Sequence, residues 1–248
     1  MDERTTRRPV SAGAEAELGK IYKVHEHGEV ELVDYLGDDR AVARAARTSY
    51  QKADGKNEEA DRKLILRLWR DRHTSPFEMI QVTFRIRLPI FVMRQHVRHR
   101  TASLNEWSFR YTECPELFYV PAHDDVRGQH AANKQMSGAA LAEDTASRAR
   151  ALMDSQNHEA YRAYQQLLEL GVAREQARVV LPVSAYTQIV WNIDMRNLLH
   201  YFSLRLSPDA QKEIRDYAQV MAGVVQRGWP MIWEAFEPGY AGSTPPVV

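Results

Sequence analysis

Between positions 94 and 111 the chain reads RQHVRHRTASLNEWSFRY, with four arginines and two histidines against one carboxylate, Glu106. Guanidinium groups bind phosphate oxygens in a planar, two-pronged fashion, and a hydroxyl beside them adds a donor. If 107–111 is extended, Ser108 and Arg110 share one face and Trp107 and Phe109 the other. The first pair suits a phosphate monoester, while the amide of Asn105 and the carboxylate of Glu106 suit the polar edge of a heterocycle. Together they describe a nucleotide pocket. The competing reading is a solvated helix face whose arginines complement their own helix dipole.

The elements that must hold these residues follow from periodicity. Residues 29–37 alternate apolar and polar as a strand, and Asp38 or Asp39 can cap the helix after it. A second amphipathic helix covers DRKLILRLWRDRH. Residues 79–88 alternate again, with Ile80, Val82, Phe84 and Ile86 on one face. Pro89 then suits the first position of a helix through residue 100, which would set Gln95, Arg98 and His99 on one side. The stretch 122–138 is polar and aperiodic, a loop or insertion. A long helix from about 138 to 170 stops at Gly171, and a short one ends at Pro182. SAYTQIVWNI reads as a strand and DMRNLLHYFSLR as a helix, and a last long helix is capped by Ser207 with Pro208 at its first position. The sum is an α/β (α+β) chain: one helix-rich domain over 21–238 with a modest, mostly antiparallel or mixed sheet flanked by helices. A flexible arm (1–20) and a C-terminal tail (239–248) flank it.

Bulk properties narrow the function classes. Lys+Arg and Asp+Glu balance at 33 each in 248 residues, which speaks against a general nucleic-acid binder. No apolar run reaches about 18 residues, so no membrane span is expected. The single cysteine, Cys114, excludes an intrachain disulfide framework and suits a reducing cytoplasm.

RHRTASLNEWS fits the signature RHR, seven residues, Ser, and so resembles the flavin-dependent thymidylate synthases. The inner S-L-N-E-x-S-x-R agrees too, and further segments follow in order: VELVDYLGDD, AARTSY, HTSPFEMIQVTFRIRLPIFVMRQ, GVAREQARVVLP and DMRNLLHYFSLRLSPDAQKEIRDYA. The similarity covers nearly all of 29–237. It implies methylation of dUMP to dTMP in de novo dTMP biosynthesis, with 5,10-methylenetetrahydrofolate as carbon donor, bound FAD as hydride carrier and NADPH as its reductant. A homotetramer whose sites are assembled from several subunits is also implied, with no nucleic-acid or membrane partner.

Carried over residue by residue, the resemblance places flavin contacts at Ser49, His73, Ser75, Glu78, Arg98, His99, Arg100, Asn105, Glu106, Asp194, Arg196 and His200. Asp194 could accept from ribose or adenine but not donate, and His73 would stack or gate. The dUMP positions are Gln95, His96, Val97, Arg98, Glu106, Trp107, Ser108, Phe109, Arg110, Arg178 and Arg205. Arg205 is the implied catalytic residue: a cation at the uracil edge stabilises charge on the ring and makes C5 a better nucleophile.

Other chemistries fare worse. Cys114, in YTECPELF, has no neighbouring histidine to activate it as a nucleophile. Ser108 lacks a G-x-S-x-G elbow and a readable His–Asp pair. His73, His96 and His99 fall on different elements without ligand spacing, so no metal site is expected. Trp69, Trp191, Trp229 and Trp233 read as core or interface, and His25 and His27 as surface residues. A nucleotide-sensing protein without turnover is the alternative from another class. A folate-only synthase is a third reading, weakened by the inert cysteine.

Overall fold

The computed structural model describes residues 8–49, 57–134 and 136–240. Its centre is β3 (Gln81–Pro89), whose alternation buries Val82, Phe84, Ile86 and Leu88 completely. Each such side chain contributes roughly 1.5–3 kcal/mol when removed from water. In chain order α1 (Ala12–Glu17), β1 (Ile21–Val24), β2 (Gly28–Leu36), α2 (Asp39–Thr48) and α3 (Glu58–Arg70) precede β3. After it come α4 (Ile90–His96), β4 (Ser103–Glu106), the small strands β5 (Arg127–Gln129) and β6 (Ser137–Ala140), and α5 (Glu143–Glu169). The chain ends with α6 (Arg174–Ala177), β7 (Tyr186–Asp194), α7 (Met195–Arg205), α8 (Lys212–Gly228) and α9 (Pro230–Tyr240).

The main sheet has the order β1-β2-β3-β7-β4, and every strand pairing in it is antiparallel. This is the α+β architecture expected. Phe84 of β3 faces Trp191 of β7 in register, and Leu198, Phe202, Met221, Val225 and Trp233 of α7–α9 close over that face in one cluster. Trp191, Trp229 and Trp233 are buried and Trp69 packs against the same core. A smaller cluster of Phe109, Cys114, Phe118, Tyr164 and Ala185 sits under α5.

Several boundaries depart from the sequence reading. Residues 12–20 are not a free arm: α1 docks on α8, with Ala14 fully buried. Gly13 permits this, because a Cβ there would lie 2.0 Å from the Arg227 carbonyl oxygen. Residues 1–7 and 241–248, a third of the expected arm and most of the expected tail, lie outside the described residues. The helix after Pro89 stops at His96 rather than at residue 100. The insertion holds the hairpin β5–β6, so α5 begins at Glu143 and not near 138. The Ser207–Pro208 start of α8 is a separate turn, in which Ala210 N–H bonds the Ser207 carbonyl at 2.9 Å, and α8 starts at Lys212. His25 is half-buried and bonds Asp216 at 2.9 Å, not a free surface group.

Candidate active site

α4 is only seven residues long, so the charged run after it forms a loop that turns the chain back to the sheet. There β4 pairs with β7 as an edge strand, with Asn105 opposite Val190 and Glu106 opposite Ile189. All four residues of β4 are exposed. A short polar strand is one way proteins keep an edge from pairing with other chains, and here it also presents Asn105 and Glu106. Glu106 Oε1 accepts from the Thr187 hydroxyl at 2.9 Å.

Beyond β4 the segment 107–111 is not extended. Tyr111 N–H donates to the Ser108 carbonyl at 3.0 Å, closing a turn. Phe109 is buried as its anchor while Ser108 and Arg110 stay accessible. Ser108 and Arg110 therefore leave the Trp107–Phe109 side by a turn and not by strand alternation. Arg110 reaches Glu175 at 3.3 Å. Glu106, Trp107, Ser108 and Phe109 line a cavity of about 580 Å³ with Arg94, Glu175 and Arg178.

A second group meets at the end of α7. Arg205 Nε donates to His99 Nε2 at 3.0 Å, and its terminal nitrogen approaches the Gln95 carbonyl oxygen at 3.4 Å. Gln95 Nε2 donates to the side chain of Gln211. Burial holds the His99 imidazolium down to a pKa of about 4, helped by Arg205 and His200. His96 was expected among the substrate contacts, but its ring is fully buried, edge-on to Trp191 at 4.3 Å and close to Tyr201. His96 is 0% exposed as a whole residue, so in this arrangement it is a core residue rather than a substrate contact.

Most of the remaining residues line two further, adjoining cavities. Ser49, His73, Ser75, Glu78 and Arg196 line a cavity of about 840 Å³. Arg196 donates to the Thr74 hydroxyl at 3.0 Å and lies 3.5 Å from Glu78. A neighbouring cavity of about 1480 Å³ contains Thr101 and His200, and shares Arg67, Arg72, Thr74 and Arg196 with the first. Asp194 instead caps α7, accepting from Asn197 N–H at 2.9 Å and from its side-chain amide at 2.7 Å. Val97, Arg98 and Arg100 are exposed on the intervening loop.

One chain thus holds its candidate residues in a guanidinium- and hydroxyl-lined trough, in the smaller cavity under β4 and in the Arg205–His99–Gln95 cluster, rather than in one pocket. Sequence reasoning missed Arg94 and Glu175 in the second and Arg47, Arg67, Arg72 and Thr74 in the first. Only Arg94 carried a usable signal, one α-helical turn before Arg98.

Comparison with known proteins decides the lineage. The family model described as thymidylate synthase complementing protein matches residues 31–231. A flavin-dependent thymidylate synthase from Thermus thermophilus is 50% identical over 214 residues, covering 86% of this chain and 77% of the relative. The chain is a member of the flavin-dependent thymidylate synthase family. The synthase from Wolbachia pipientis wMel is 42% identical over 231 residues, 93% of this chain and 81% of its own. Among solved structures, the UMP/dUMP methylase PolB from Streptomyces cacaoi bound with 5-Br dUMP superposes with a TM-score of 0.79 at 36% identity, covering 88% and 97% of the two chains. Membership brings FAD, and the trough suits it. Arg67, Arg72 and Arg196 with the hydroxyls of Thr74 and Ser75 are the donor set a pyrophosphate needs.

Proposed function

We propose that the chain converts dUMP, 5,10-methylenetetrahydrofolate, NADPH and a proton to dTMP, tetrahydrofolate and NADP+. Bound FAD supplies the hydride-carrying step between NADPH and the pyrimidine. In this reading Ser49, His73, Ser75, Glu78, Arg196 and His200 hold the flavin, with Arg98, His99, Arg100, Asn105 and Glu106 facing it from the loop and β4. Glu106, Trp107, Ser108, Arg110 and Arg178 hold dUMP, with Gln95, Val97 and Arg98 beside it. A homotetramer is part of the proposal. The trough and the β4 cavity are separate within one chain, so a neighbouring copy would complete each site. A cytoplasmic location is part of it as well, supported by the lone, buried Cys114. Among the described residues no helix is long and apolar enough to cross a membrane.

The observation that carries the reading is the Arg205–His99–Gln95 meeting point. Among the described residues Arg205 has no carboxylate partner, and its neighbour is a neutral imidazole. Its charge is therefore left to act on an anionic ring. Aimed at a uracil edge, it would stabilise charge developing on the pyrimidine and make C5 the nucleophile.

A visible spectrum of the purified protein should show flavin bands. Anaerobic mixing of the reduced protein with dUMP and methylenetetrahydrofolate should restore the oxidised bands as dTMP forms. A protein that binds dUMP, but never reoxidises with product, would be the nucleotide-sensing relative instead.

A further inference from the structure

Two helices of this chain end in the same backbone motif, with different residues at its critical position. After α5, Gly171 N–H bonds the Leu168 carbonyl and Val172 N–H the Leu167 carbonyl, each at 2.9 Å. After α3, Arg72 N–H bonds the Trp69 carbonyl at 3.0 Å and His73 N–H the Leu68 carbonyl at 2.8 Å. Both are Schellman ends, in which one residue must take a left-handed conformation and is usually glycine. Gly171 does so with φ 84°, and Arg72 with φ 60°. A side chain pays a steric penalty there that glycine avoids, and backbone strain of this kind collects at functional sites.

Arg72 lines both the 840 Å³ and the 1480 Å³ cavities, beside Arg67, Thr74 and Arg196. The adjacent carboxylate, Asp71, is engaged by Arg70 at 2.9 Å and Arg67 at 3.5 Å. Among the described residues Arg72 has no carboxylate of its own. A guanidinium held in a left-handed turn, at the junction of two cavities and with no carboxylate paired to it among the described residues, is arranged for a ligand that brings negative charge.

We propose that Arg72 is an anion-binding residue that takes phosphate oxygens of a dinucleotide lying in the trough. This rests on reading the trough as the dinucleotide site. The flavin and the nicotinamide nucleotide share that phosphate chemistry, and binding measurements separate them.

Arg72→Gly and Arg72→Asn remove the charge while suiting the left-handed backbone. Thermal melts and calorimetric titrations of the apoprotein with FAD, NADP+ and phosphate-free riboflavin are the readouts. Melting temperatures at or above that of the wild type are expected. FAD or NADP+ affinity should fall about tenfold, with riboflavin unchanged. Loss confined to FAD assigns the flavin pyrophosphate, and loss confined to NADP+ assigns the nicotinamide nucleotide. Unchanged FAD and NADP+ affinities in variants, with a wild type that binds FAD, would overturn the role of Arg72 alone. A wild type that binds neither dinucleotide would overturn the reading of the trough and Arg72 with it. Melting several degrees lower in both variants would mean that Arg72 holds the turn, which also defeats the proposal.

Discussion

Nε of Arg205, at the C-terminal end of α7, lies 3.0 Å from Nε2 of His99 in the loop after α4. The imidazole nitrogen must accept, so His99 is the neutral form with its proton on Nδ1. Burial first, and the charge of Arg205 second, favour that form by holding the pKa near 4. The two residues are 106 positions apart, and the contact fixes the guanidinium without neutralising it.

Arg205→Ala should leave the flavin spectrum intact and lower kcat by roughly a hundred- to a thousand-fold, the usual cost of removing a charge-stabilising donor. His99→Gln retains an acceptor for Arg205 and should lose less than His99→Ala. Near-normal turnover in Arg205→Ala, measured by dTMP formation, would remove the catalytic role.

His96 makes the fold acid-sensitive. Its buried ring has no hydrogen-bond partner at either nitrogen, and burial, before the charges of His99 and Arg205, pulls its pKa to about 3. The unfolded chain, at about 6.5, therefore binds a proton that the folded one refuses. Stability is complete above pH 6.5 and falls as pH drops toward 3, by on the order of 4 kcal/mol across that window. His96→Phe should match or exceed the wild type at pH 7, since it removes an unpaired polar group. It should also lose less between pH 6.5 and 4.5 in urea titrations. Parallel pH profiles for the two proteins would contradict this account.

Gln211 positions Gln95. Its side chain accepts from the Gln95 amide and donates to Glu213 at 2.8 Å, and Glu213 in turn accepts from Tyr119 at 3.0 Å. Gln211→Ala frees the Gln95 amide without touching the trough. The expected result is a several-fold higher KM for dUMP, with kcat within about twofold and flavin content unchanged. A fall in flavin content instead would place the residue in the structural scaffold.

Much of this fold could be read locally. The alternation of 79–88 and of SAYTQIVWNI gave β3 and β7, and Gly171 gave the end of α5. What escaped depends on partners distant in sequence. β4 is a strand only because β7 offers its edge more than eighty residues later. Ser207–Pro208 has the right chemistry for a helix cap, yet Arg215 bonds the Pro208 carbonyl at 2.8 Å and the segment closes as a turn. For the site, the arginine-rich loop was visible as phosphate chemistry. Its division between two cavities was not, because α3, α6 and α7 supply the other walls. The burial of His96 was hidden for the same reason: the helical pattern places it beside Gln95, but Trp191 and Tyr201 decide which way it faces.

Cys114 gives the sharpest separation from a synthase that attacks uracil with a thiolate. Its side chain is 1% exposed, and burial pushes the thiol up to about 12. The nearest polar contact is the Pro115 carbonyl at 3.4 Å, which accepts from the thiol and so favours the protonated form. None of the residues lining the β4 cavity or the trough is this cysteine. A thiolate nucleophile needs a depressed pKa and access to substrate, and Cys114 has neither. Cys114→Ala removes one buried sulfur from the small core of Phe109, Phe118 and Tyr164, at a cost of about 1–2 kcal/mol in stability. Turnover should stay within about twofold of wild type. Native protein at pH 8 should resist iodoacetamide while the urea-unfolded chain is alkylated. Loss of dTMP formation in a Cys114→Ala protein that still melts cooperatively and carries its flavin would put the cysteine back into the chemistry, and Arg205 would then be supporting a covalent route.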